Sequence, residues 1–377
     1  MQIGRVAFID LLRGWAILVM IETHVFNAMI LPALRETAWS RALDFINGLV
    51  APSFLFVSGF VFIISMQRKI EDMRTLGPLF WKQIGRIGLI WVVAYGLHLP
   101  AFSYQRLAAG VSETSWLKFF QVDILHCIVA GWLFLLCSFL MIRSEAFLRR
   151  WLTASGVLFV AIAPLIWEID FLGLLPAPLA AYLNGKHYSL FPIFPWVGFM
   201  LAGGVTALYY LSIVRRSGAK DFIRRITVYG VVLIVVCSLL LQIPIQLEFL
   251  SSSIRANPLF FFVRLGMVLL LATGCWLYSE HRDVTRSFVI DASRESFLIY
   301  VVHLLVIYGD FWSDKSIAKL YGKTFSPLEC MLAALAFLIT MVLTAKSWGW
   351  VKRRSKTAAR GVSWAVAAII AAVFFIR

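Results

Sequence analysis

Residues 8–31 read FIDLLRGWAILVMIETHVFNAMIL, an apolar run that nevertheless carries Asp10, Arg13, Glu22 and His24. About 20 apolar residues suffice to cross a hydrocarbon core of ~30 Å. Ionisable groups inside such a run are costly, and their presence marks a functional segment unless they sit at its ends. Arg13 and His24 are separated by ten residues. Eleven positions of an α-helix return to within about 20° of the same face with a rise of about 16.5 Å. One stripe of this helix therefore holds a cation near one end and an imidazole three turns further on. Asp10 lies one turn from Arg13 and can balance its charge or cap the helix. Glu22 projects almost opposite His24, toward another helix.

The rest of the chain repeats the pattern. Further apolar stretches fall near 45–66, 79–99, 121–142, 151–168, 190–212, 226–245, 258–279, 296–312, 328–349 and 361–376. The expected fold is all-α, a polytopic transmembrane bundle of about 10–11 spans. The last stretch, at about 24 Å of helix, decides between the two counts. With no internal repeat and no soluble segment, residues 1–377 read as a single integral membrane domain. The composition agrees: 61% hydrophobic and 15% charged, with a mean hydropathy of +0.84. A soluble domain holds about 25% charged residues.

The net charge of +15 does not imply nucleic acid. The basic residues sit between apolar stretches, as in Gln67-Arg68-Lys69 and Lys352-Arg353-Arg354, without the aromatic interleaving of a nucleic-acid platform. With eleven helices, the N-terminus and even-numbered connections hold 23 Lys and Arg against 10 on the opposite side, span ends included. The positive-inside rule then places the N-terminus in the cytoplasm and the C-terminus outside. The five cysteines form no metal or CxxC spacing and read as packing residues. No metal is expected.

In this orientation several polar residues reach the outer half of the bundle, the depth of His24. They are His98, Asp123, His126, Lys186, His187, and the seven-residue series Ser296, His303 and Asp310. Arg264 also lies within a span. A lone intramembrane histidine is usually a hydrogen-bonded packing residue, and His98, His126 and His187 each fit that description. Arg13 can snorkel toward headgroups. The combination of the Arg13–His24 stripe with Asp123 and His303 favours chemistry.

Five segments carry a family resemblance. They are Ile9-Asp10-Leu11-Leu12-Arg13-Gly14 followed by His24; Ala51 to Phe60 with Ser58-Gly59; Val122-Asp123-Ile124-Leu125-His126; Phe191 to Gly198 with Pro195-Trp196; and Glu295-Ser296 to Tyr300 and His303. Together they resemble the transmembrane acyltransferase superfamily. The tryptophan block and the Val122–His126 segment are similar to its branch related to lysosomal heparan-α-glucosaminide N-acetyltransferase, rather than to membrane acyltransferase family 3 proper. The resemblance implies an acyl-CoA donor, acetyl-CoA first, arriving from the cytoplasm, and a glycan or glycolipid acceptor on the far side of an inner membrane. On the residues' own chemistry His24 is the expected general base, Asp123 its orienter, and His126 and His303 the groups that orient the acceptor or stabilise the oxyanion. Arg13, with Asp10 beside it, would meet the coenzyme A phosphates. Unlike the lysosomal enzyme, the protein is expected to carry no large extracytoplasmic domain ahead of its first helix. Its acceptor preference is not carried over. In that enzyme the counterpart of His24 is replaced and the working histidine lies further along, which leaves the base open between His24 and the other histidines. An ion-coupled transporter is the main rival, although no inverted repeat supports it. A non-catalytic partner in a glycan-assembly complex is the second. An exposed apolar helix face would suit a homodimer.

Overall fold

The computed structural model describes residues 6–243, 253–309 and 316–376. The expected Asp310 and Pro244 lie outside the described residues. The principal helices, in chain order, are α1 (Ala7–Met29), α2 (Ala38–Asn47), α3 (Val50–Gln67), α4 (Pro78–Gly96) and α5 (Ile124–Met141). They continue with α6 (Glu145–Ala161), α7 (Ile193–Ser217), α8 (Ala219–Gln242), α9 (Pro258–His281) and α10 (Phe288–Arg294). The last three are α11 (Ser296–Tyr308), α12 (Pro327–Arg354) and α13 (Lys356–Ile376). Short turns of helix link them. Among the described residues there is no strand beyond an isolated bridge between Ile30 and Phe325.

Each of the eleven apolar stretches is helical in its described part, so the fold is an all-α, multi-pass membrane bundle. Among the described residues, seven helical runs are long and apolar enough to cross a membrane: Ala38–Gln67, which joins α2 to α3, together with α5, α7, α8, α9, α12 and α13. The other four depart from that pattern for identifiable reasons. Helix α1 has 23 residues but carries three charged side chains, α4 carries Lys82 and Arg86, and α6 and α11 have 17 and 13 residues. Helix α13 starts at Lys356 and runs for 21 residues, longer than the apolar stretch alone suggested.

Two compact units divide the chain. The first comprises Met1–Val50, Leu99–Glu113 and Tyr278–Arg377. Here α1 packs against α10, α11 and α12, and buries Ile9, Leu11, Ile17, Ile21 and Val25. At its C-terminal end Val25, Ala28 and Met29 join Ile307, Cys330 and Ala334 in one cluster. Close approach is needed at Gly14, where a Cβ would meet the Val289 carbonyl oxygen at 2.2 Å. Helix α13 packs on α12 and, through Phe374 and Phe375, on Phe102 and Tyr104, while most of its surface is exposed, as a lipid-facing helix should be.

The second unit comprises Ala51–His98 and Thr114–Leu277. Helix α7 is its axis and packs on α5, α6 and α8, while α4 lies on α5. Its contact with α3 is a paired backbone approach. A Cβ on Gly59 would lie 1.9 Å from the Met200 carbonyl oxygen, and one on Gly203 would lie 1.9 Å from that of Phe56. Small residues permit such contacts where lipid offers no hydrophobic drive for association. Of the cysteines, Cys127, Cys237 and Cys330 are buried and Cys275 is half-buried; Cys137 is exposed, so it packs no core.

The α3–α7 approach makes a direct prediction. Gly203→Val should destabilise the detergent-purified protein by about 1–3 kcal/mol through overpacking. Gly88→Ala, where nothing lies within 4 Å of the added carbon, should leave the thermal unfolding midpoint unchanged or slightly raised. Equal midpoints for wild type and Gly203→Val would contradict this packing.

Candidate functional site

Helix α1 presents its polar residues as its periodicity requires. Asp10 is 7% exposed, and its Oδ1 accepts a hydrogen bond from Arg13 Nη2 at 2.7 Å. The remaining face of the guanidinium is used by Ser293 of α10, whose Oγ accepts from Arg13 Nε at 2.9 Å. An ion pair with its outer donors satisfied is the form in which a buried charge is tolerated. Nearby, Lys352 of α12 reaches Glu295 at 2.6 Å, tying the end of α12 to the α10–α11 junction. Glu22 points away from this stripe, as expected, and shares a side-chain hydrogen bond with Asn47 of α2.

Three turns above Arg13, the His24 ring lies 5.2 Å from the ring of His303 on α11 and 5.8 Å from that of Tyr308. Tyr308 donates its hydroxyl proton to the His24 carbonyl oxygen at 3.2 Å, which anchors α11 to α1. His303 is fully buried, and its Nδ1 lies 2.7 Å from the Ile299 carbonyl oxygen. A carbonyl can only accept, so Nδ1 carries the proton. The neutral ring therefore offers Nε2 as a lone pair, and that atom is buried with no protein partner. The first unit thus holds two imidazoles side by side, one with its tautomer fixed by the helix backbone.

The second unit holds a different centre at the mouth of α5. Asp123 is the N-cap of α5, with Oδ1 accepting from the amides of Leu125 and His126. The same carboxylate meets His126 Nδ1 at 2.9 Å and His98 Nε2 at 3.2 Å. Gln121 holds the other nitrogen of His98 at 2.9 Å. Asp123 and His126 are 4% and 0% exposed. The three donors lie within 4.8 Å of one another, close enough to consider a cation. Aromatic rings enclose them: Tyr95 at 4.4 Å and Tyr182 at 6.3 Å from the His126 ring. Trp91 Nε1 donates to the Tyr182 hydroxyl at 3.1 Å.

The residues expected from the sequence therefore gather in two groups: Asp10, Arg13, His24 and His303 in one unit, Asp123 and His126 in the other. Sequence reasoning did not single out His98 as the carboxylate's partner, nor Ser293, Tyr308 and Gln121. Arg264 is no part of either group; its guanidinium lies over the Phe260 ring at 4.1 Å. His187 stands on an exposed loop, where Asp170 accepts from it at 2.9 Å. That contact, with the Leu172 amide, holds the Asp170 carboxyl below the usual carboxylate range. On the second unit's surface, Glu145, Arg149, Ser212, Arg215 and Arg216 line a cavity of about 290 Å³.

A helical membrane protein with buried, hydrogen-bonded imidazoles is the class that fold and sites define. Within that class, the chain belongs to the family of the heparan-alpha-glucosaminide N-acetyltransferase catalytic domain, whose model matches residues 5–241, more than half its length. The match covers α1 to α8, including Asp10, Arg13, His24, Asp123 and His126, and stops before His303. Membership implies a transferase. No curated protein sequence matches the chain.

The Asp10–Arg13 pair is testable apart from activity. Asp10→Ala should cost about 3–5 kcal/mol, because a largely buried guanidinium loses its counter-charge. The double change with Arg13→Met should recover part of that loss. Thermal unfolding of the three variants measures it; strictly additive losses would mean the pair is not coupled.

Proposed function

We propose that the protein is a membrane acyltransferase that moves an acyl group, acetyl first, from acyl-CoA to a hydroxyl or amine of a glycan or glycolipid acceptor. The observation that carries this reading is the His24–His303 imidazole pair, three helical turns along α1 from the Asp10–Arg13 ion pair. His24 acts as the general base, imidazole being the side chain whose chemistry best suits taking up and returning a proton at neutral pH. The acceptor O–H or N–H gives its proton to His24 as its oxygen or nitrogen bonds to the thioester carbonyl carbon. The C–S bond then breaks, and the imidazolium returns the proton to the departing thiolate. The Nε2 lone pair of His303 can hold the acceptor's second polar proton. Asp123, engaged by two histidines of its own unit, is assigned to them as an orienter.

Arg13 suits an anionic phosphate because its guanidinium offers a rigid fork of donors. Arg149, Arg215 and Arg216 around the surface cavity offer the same chemistry on connections that the positive-inside count puts in the cytoplasm. Donor entry from the cytoplasm and acceptance at the outer face of an inner membrane follow from that orientation. The exposed apolar faces of α8, α12 and α13 contact lipid or a second copy of the chain.

The test uses detergent-purified protein with radiolabelled acetyl-CoA and an aryl α-glucosaminide. Wild type should bind the donor saturably and acetylate the amine. His24→Ala should keep binding while its kcat falls about 10²–10⁴-fold, the usual contribution of a general base. Wild-type turnover in that variant would remove His24 from the mechanism.

A further inference from the structure

Helices α6 and α7 of the second unit pack together, with Leu148, Leu152, Leu208 and Leu211 among their buried residues. At one end of the pair the lining turns polar. Glu145, Ala146 and Arg149 from the first turns of α6, with Ser212, Arg215 and Arg216 from the last turns of α7, surround about 290 Å³. That volume is near the lower end of the range for small-molecule sites. Three guanidiniums stand there beside one carboxylate, so the lining is a net cation. Other arginines of the unit are engaged. Arg225 pairs with Asp221 at 3.1 Å, Arg74 donates to the Ile142 carbonyl oxygen at 3.3 Å, and Arg150 donates to that of Ala146 at 3.4 Å. Among the described residues no such partner serves Arg149, Arg215 or Arg216. Glu145 lies four residues ahead of Arg149, the spacing that favours a helical ion pair, yet the two make none.

The donors gathered here suit a phosphate. Guanidinium forks bind its oxygens through paired, charge-assisted hydrogen bonds. Glu145 and Ala146 add the first turn of a helix, where backbone N–H groups lack intrahelical acceptors and favour an anion. Ser212 donates its hydroxyl proton to the Tyr209 carbonyl oxygen at 2.9 Å, which leaves the arginines as the principal side-chain donors. Depth decides what carries the phosphate. Arg149 falls between Phe147 and Trp151, which are 54% and 43% exposed, and Arg215 and Arg216 end the apolar run of α7. Exposed aromatic side chains beside basic ones mark the boundary between hydrocarbon and headgroups. The cavity therefore sits at headgroup level, on the side that the basic-residue count makes cytoplasmic. Basic pockets between spanning helices at that level recognise anionic lipid headgroups.

We propose that this cavity binds the phosphate of an anionic phospholipid drawn from the surrounding leaflet, with Arg149, Arg215 and Arg216 as its donors. The site lies within one unit and stands apart from the acyltransferase reading. Detergent-purified wild type titrated with dioleoyl phosphatidylglycerol, followed by native mass spectrometry, should take up one lipid per chain in preference to dioleoyl phosphatidylcholine. Arg149→Gln combined with Arg216→Gln should weaken that binding about 10–30-fold, the loss of two basic contacts to an anionic headgroup. Lys356→Gln combined with Arg360→Gln removes two exposed charges of the other unit and should leave it unchanged. Glu145→Gln should tighten it about 2–5-fold, because the one carboxylate of the lining is gone.

Equal losses in the two double variants would reduce the effect to general surface charge and overturn the site. Equal uptake of the two lipids by wild type would do the same. Inorganic phosphate and coenzyme A share the phosphate chemistry, so each is added at a concentration equal to the lipid's. The lipid should stay bound; its displacement by either would give the arginines to a soluble phosphate and overturn the lipid assignment. Thermal midpoints without lipid should match wild type in every variant. The gain expected in Glu145→Gln is not a result that misfolding produces, and weaker binding there would also overturn the proposal. Absence of acetyl transfer by wild type would sink the acyltransferase reading and leave these outcomes untouched.

Discussion

The ion pair between Asp10 and Arg13 is the contact on which the first unit depends. A helix in hydrocarbon satisfies its own backbone, so its side-chain charges are what must find partners. Arg13 finds Asp10 one turn back and Ser293 on α10, and the three together let a charged α1 pack as tightly as an apolar helix. Tight packing is what Gly14 then allows, with α10 backbone against it. The same helix carries His24 three turns on. The neutralised cation and the imidazole are therefore held on one rigid element, as a site with demanding geometry requires.

The two imidazole centres use different anchors to reach a similar chemical state. His303 is set by a backbone carbonyl of its own helix, through Ile299. His126 is set by a side-chain carboxylate that is itself held by the first amides of α5. In both, Nδ1 is engaged and Nε2 is buried with no hydrogen-bond partner in the protein. Orientation of one ring nitrogen by a bond at the other is the general way a protein readies a histidine for use.

Much of this was legible in the sequence because hydropathy and helical period are local properties. All eleven apolar stretches are helical over their described residues, and Asp10 meets Arg13 because three-residue spacing on a helix makes neighbours. Depth was legible too, since His24 and His303 were expected at one level and lie with rings in contact. What the period does not encode is which helices become neighbours. Ser293 is 280 residues from Arg13 and His98 is 25 from Asp123, so neither partnership has a local signature. The expectation that Asp123 orients His24 rests on depth and on the Val122–His126 segment; within its own unit Asp123 caps α5 and meets His98 and His126. The start of α13 was missed because Lys356 and Arg360 interrupt the apolar count without interrupting the helix.

The central claim is that the protein transfers an acyl group and does not carry a solute. Proteoliposomes loaded with an aryl α-glucosaminide and supplied outside with radiolabelled acetyl-CoA test it most directly, with protein orientation determined by protease accessibility. The account predicts label on the enclosed amine, one free coenzyme A released per acetyl group gained, and no reaction without donor. Movement of the glucosaminide across the membrane with acetyl-CoA left intact would contradict it.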